Sequence, residues 1–143
     1  THRSSHSLVY HRLFGESMQL YCGVNHPLYG ANHNGIDWET VRDHPFAGLG
    51  YHSPNMELTH QARLTRSATG FDQESIATLI LSGRYLGFLP DHYAQPFEAT
   101  GRMQAIRPEL LNYYCDFVSL VRKSPQPSRA AAAFTQCLVD AHG

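Results

Sequence analysis

Two short stretches of this chain carry side chains suited to holding a small molecule. Gly48-Leu-Gly50-Tyr51-His52-Ser53 and Thr69-Gly70-Phe71-Asp72-Gln73 each run from a β-prone segment into a helix start. Each sets hydroxyl, imidazole or amide groups beside backbone N–H groups that, in the first turn of a helix, have no intrahelical acceptor. The expected ligand-binding residues are therefore Gly50, Tyr51, His52, Ser53, Thr69, Gly70, Phe71 and Gln73. The hydroxyls of Ser53 and Thr69 are expected to converge on one crevice, with His52 on its wall and Gln73 reaching in. Pro90-Asp91 is a third strand-to-helix junction of the same kind. Asp72 and Glu74 complement the dipole of the helix that begins at Gln73 and repel a carboxylate, which favours a polar or aromatic ligand.

Other chemistries fit less well. Gly48-x-Gly50 followed by Ser53 is an incomplete dinucleotide loop, because the third glycine is absent and Pro54 removes an amide that would hold phosphate. The glycines read instead as allowing the strand end to turn tightly. Ten histidines raise the question of a metal, but His2 and His6, the pair at ligand spacing, lie in a polar terminus without a helix signal or a carboxylate. His26, in a His-Pro-Leu turn, reads as structural. There is no Gly-x-Ser-x-Gly elbow, His-Glu-x-x-His, Walker loop or Cys-x-x-Cys, so no enzyme, metal or cofactor is expected. Cys22, Cys115 and Cys137 are too far apart for a metal knuckle and sit in apolar segments, which reads as buried free thiols.

The elements that position these residues alternate. Strands are expected at Leu8–Phe14 and Met18–Val24, then a Gly/Asn-rich loop through Gly35. Asp37 caps a short helix over Trp38–Arg42, Pro45–Tyr51 is a strand, and Ser53-Pro54 starts a helix that runs to Arg63 or Leu64. Leu64–Thr69 is a strand. Asp72 caps a helix carrying Ile76, Leu79 and Ile80, with Gly83 as its left-handed stop. Tyr85–Leu89 is apolar enough to be covered on both faces, and Asp91 follows Pro90 as the next cap. This alternation implies an α/β fold, a largely parallel open sheet with helices on both faces, and a ligand crevice outside the carboxyl ends of its strands. From Gly101 the pattern changes to strands at Met103–Ile106 and Tyr114–Val121. A Ser128-capped helix then carries Phe134, Leu138 and Ala141 on one face. These C-terminal pieces read as lacking partners, with a boundary near Thr100–Arg102 and a division into residues 1–100 and 101–143.

Eleven basic and twelve acidic residues, scattered rather than striped, exclude a nucleic-acid-binding surface on this chain, and no apolar run approaches a membrane span. With 42% hydrophobic residues the chain can bury a core, which excludes disorder.

Several stretches in order resemble one family. ILSGRYLGFLPDHYA, LFGESMQLYCGVNHPL, IDWETVRDHPFAGLGY, GRMQAIRPE, DFVSLVRK and SRAAAAFTQCLVDAH are similar to successive segments of the C-terminal effector-binding domain of LysR-type transcriptional regulators, over roughly Leu8 to His142. The resemblance implies a periplasmic-binding-protein-like fold, with residues 1–100 as effector-binding subdomain II and 101–143 as strands and helix returning to subdomain I. It implies that the chain is a fragment lacking the helix-turn-helix and the first half of subdomain I. It also implies a small-molecule effector held between subdomains at the loop after Pro45–Tyr51 and the turn Thr69–Gln73. DNA would be bound only through the missing N-terminal part, by a cytoplasmic homo-oligomer. A solute-binding protein of a transport system, built on the same fold, is the alternative.

Overall fold

The computed structural model describes residues 5–51, 59 and 61–143. The chain forms two compact units, one of Thr1–Glu16 with Tyr114–Gly143 and one of Ser17–Tyr113. Their boundaries differ from the change of sequence pattern at Thr100–Arg102.

In the larger unit, β2 (Phe46–Leu49), β3 (Arg66–Gly70) and β4 (Leu86–Pro90) are parallel, in the order β3-β2-β4. The sheet continues with β1 (Leu8–Gly23), antiparallel to β4 with Met18 opposite Pro90, and then β5 (Met103–Ala105), antiparallel to β1. The sheet is thus mixed, its parallel part confined to β2, β3 and β4. Helix α1 (Trp38–Arg42) starts at Asp37, whose carboxylate accepts the Thr40 N–H at 2.9 Å. Helix α2 (Gln73–Leu81) starts at Asp72 in the same way and is stopped beyond its end by Gly83, at φ +77°. A side chain at position 83 would be strained in that left-handed backbone and would press on the Asn25 Cβ. Ile76, Ala77 and Ile80 of α2 pack with Tyr21, Ala47 and Leu89 in the core. All five residues of β4 are buried, as an apolar strand covered on both faces should be.

Helix α3 (Asp91–Ala99) corrects one cap. Its N-cap is Pro90 and Asp91 is its first residue, where the carboxylate accepts the adjacent His92 N–H at 2.7 Å. Gly101 ends α3 with a positive φ, its N–H donating to the Glu98 carbonyl, and the chain stays in the larger unit because β5 pairs with β1.

The smaller unit contains β6 (Asn112–Arg122, from Tyr114 onward), which pairs with the first part of β1, and α4 (Arg129–His142), capped by Ser128. Strands β5 and β6 therefore have a partner that the sequence did not offer them, because β1 is one strand of 16 residues rather than two. Gly15, which falls between the two expected strands, leaves room for a close contact: a Cβ there would lie 2.0 Å from the Tyr114 hydroxyl. Helix α4 has no buried residue; Thr135, Leu138 and Val139 are half-buried while Phe134 is 66% exposed. Cys22 and Cys115 are buried free thiols, whereas Cys137 is exposed on α4, against the expectation of three buried sulfurs.

Candidate functional site

The carboxyl ends of β2 and β3 lie side by side. Gly48 is opposite Thr69, Leu49 opposite Gly70, and the Gly50 N–H extends the ladder by donating to the Gly70 carbonyl at 2.8 Å. Gly50-Tyr51 and Phe71 therefore leave the sheet as neighbours. A Cβ on Gly50 would lie 2.5 Å from the Phe71 ring and 2.8 Å from the Thr69 methyl, so the missing side chain is what lets those two groups close over the strand end. Neither Gly48 nor Gly50 has a positive φ. Close approach, not a tight left-handed turn, is the reason for glycine at these positions.

Above this floor, Tyr51 and Phe71 are 51% and 72% exposed, and Thr69 and Gln73 are exposed beside them. Gly70 contributes backbone alone, since it is buried against Ser75 and Ile76. The Asp72 carboxylate accepts the Ser75 N–H at 2.7 Å, and hydrogen bonds from Ser75, side chain first and backbone second, hold that carboxyl below its ordinary range. This uses one first-turn donor of α2. The N–H groups of Gln73 and Glu74 precede any intrahelical acceptor and face the same end of the sheet. Six of the eight expected residues, Gly50, Tyr51, Thr69, Gly70, Phe71 and Gln73, are thus gathered at one sheet edge. His52 and Ser53, with most of the helix expected after them, lie outside the described residues.

Chemically, the edge offers two aromatic faces, a hydroxyl, a primary amide and backbone donors, with Asp72 and Glu74 supplying negative charge. That set suits a neutral polar or aromatic molecule and not an oxyanion. Among the described residues no group of three His, Cys, Asp or Glu is placed to hold a metal.

Beneath the same strand end is a feature that local sequence did not announce. A cavity of about 30 Å³ is lined by Met18, Phe46, Leu49, Thr59, Phe88 and Tyr113, among others. Phe88 is at the centre of its aromatic wall, with ring centroids 5.0 Å from Tyr113, 6.0 Å from Phe46 and 6.1 Å from Trp38. Its lining is chiefly apolar, so a water inside would find few partners. Its residues come from segments far apart in sequence, and only the tertiary fold brings them together.

The comparisons with known proteins agree with this architecture. The chain is 30% identical over 131 residues to the HTH-type transcriptional activator BauR of Pseudomonas aeruginosa, a match that covers 92% of the chain and 43% of that protein. It thus spans less than half the length of this curated relative. The regulatory domain of CrgA, a LysR-type regulator from Neisseria meningitidis, superposes with a TM-score of 0.68 at 18% identity, covering all of this chain and 72% of that one. The regulatory domain of MetR from N. meningitidis gives 0.73 at 15% identity, covering 96% and 66%. Among the described residues no helix is long and apolar enough to cross a membrane. The model of the LysR substrate binding domain matches residues 1–143, the full span of strands and helices described above, and the chain belongs to that family.

Proposed function

We propose that this chain is the effector-sensing part of a cytoplasmic transcriptional regulator, and that the edge formed by Gly50, Tyr51, Thr69, Gly70, Phe71 and Gln73 holds its small-molecule effector. The observation that carries this reading is the convergence of those residues at the carboxyl ends of two parallel strands, in a chain whose whole length matches a substrate-binding family. The effector is a neutral polar or aromatic molecule. It stacks on Tyr51 or Phe71 and takes a hydrogen bond from Thr69 or from the start of α2, while His52 and Ser53 complete the rim. DNA is bound by another part of an oligomeric protein, and the effector acts by favouring one arrangement of that protein over another, which requires unequal affinity for the two. The chain senses and does not catalyse. Membership of the LysR family, together with a relative described as a transcriptional activator, supports this reading over a transport receptor of the same fold.

The test uses the full-length regulator and the compound that induces its promoter. Thr69→Val should raise the half-maximal inducer concentration about 5-fold, the equivalent of one hydrogen bond of about 1 kcal/mol. Gly50→Val, which drives Phe71 off the strand end, should raise it further. Promoter DNA affinity without inducer should stay the same in both. An inducer response unchanged in both variants removes the site.

A further inference from the structure

The larger unit has a second concavity at the opposite edge of its sheet, of about 440 Å³ and open to solvent. Its walls are residues that enter the parallel strands rather than leave them. His44 and Pro45 precede β2, Ser67 lies at the start of β3, and Arg84 and Tyr85 precede β4. His26 lies just past the end of β1, which runs antiparallel to β4 and so finishes where β4 begins. This edge is distinct from the effector edge proposed above, and nothing here depends on that reading.

The lining holds hydrogen-bond donors and no carboxylate. His26 is 5% exposed, and its Nδ1 accepts the Leu28 N–H at 3.1 Å. In the neutral ring the proton is therefore on Nε2, and that N–H has no acceptor among the described residues. The His44 ring lies 5.0 Å away, centroid to centroid. Arg84 is exposed, and its guanidinium takes part in no ion pair among the described residues. The Ser67 hydroxyl and the Tyr85 phenol add two further groups able to donate. Burial and then the neighbouring His44 push the His26 pKa down to about 4, and an anion beside the two rings would favour the charged form instead. Two imidazoles without a third ligand do not make a metal site, and among the described residues no such group of three exists.

We propose that this pocket binds a small tetrahedral oxyanion, held by the guanidinium of Arg84, the imidazoles of His26 and His44 and the hydroxyl of Ser67. The volume leaves room for a small organic group attached to the oxyanion. The probe is inorganic phosphate, titrated into the full-length protein while its thermal midpoint is followed, with chloride adjusted to keep ionic strength constant. The midpoint should rise and saturate, as binding to the native state requires. In Arg84→Gln, a substitution of an exposed side chain, the half-saturating phosphate concentration should increase at least 10-fold. Ser67→Ala should increase it several-fold, while Thr69→Val at the opposite edge should leave it alone. A midpoint that climbs without saturating, or a saturation curve that Arg84→Gln does not move, overturns the proposal.

Discussion

His26 shows how one side chain sets a pH range for the fold. Its ring is buried beside His44, and its pKa falls from 6.5 to about 4, burial contributing most and His44 next. The folded chain therefore keeps His26 neutral in a range where the unfolded chain takes up a proton. Its contribution to stability is fully present above pH 6.5 and is lost as the pH falls from there to about 4. The expected loss is on the order of 1–3 kcal/mol. Denaturant unfolding between pH 7.5 and 4.5 should show that slope, and His26→Asn should flatten it, because Asn can still accept an N–H two residues on while carrying no titratable ring. A slope that persists in His26→Asn places its origin elsewhere. That His26 sits in a turn was legible in its His-Pro-Leu sequence, whereas the pairing with His44 was not, because the two stand 18 positions apart with a helix between them.

At the scale of elements, the sequence was readable wherever the determining chemistry lay within four residues. Asp37, Asp72 and Ser128 each cap the helix they precede, and Gly83 stops α2, since a cap or a stop is a local hydrogen bond or a local φ. The strand-to-helix junction that carries Thr69 and Phe71 was readable for the same reason. Strand β1 was not, because Gly15-Glu16-Ser17 has the composition of a turn and the partner that keeps the first part of the strand extended is β6, about a hundred residues later. The contact of Gly15 with Tyr114 gives a prediction. Gly15→Ala should cost about 0.5–1 kcal/mol, since the exposed Tyr114 side chain has to swing aside, and less in a Tyr114→Ala background. A double-mutant cycle by denaturant unfolding measures the coupling, and strictly additive costs would show that the ring does not decide position 15.

At the scale of the molecule, the smaller unit leaves much of its apolar surface in water. Phe14 and Phe117 stack at 4.6 Å yet are 38% and 40% exposed, Leu120 is 53% exposed, and Phe134 on α4 is 66% exposed. Of the expected stripe, Leu138 is half-buried together with Thr135 and Val139, while Phe134 and Ala141 are exposed. Apolar exposure of this extent promotes association. Sedimentation velocity on the 143-residue chain should show a weight-average mass that rises with concentration, and Phe134→Glu with Leu120→Glu should lower it. A constant monomer mass across concentrations would contradict this.

The long first strand also governs how the chain is made. Leu20, Tyr21 and Cys22 leave the ribosome well before their ladder partners Phe88, Gly87 and Gln104, which follow roughly 65–80 residues later. At about 5–20 residues per second, β1 waits roughly 4–15 s with its apolar side chains and backbone donors unpaired. Nascent chains of this protein should therefore engage holding chaperones until β4 is synthesised, and release them only then.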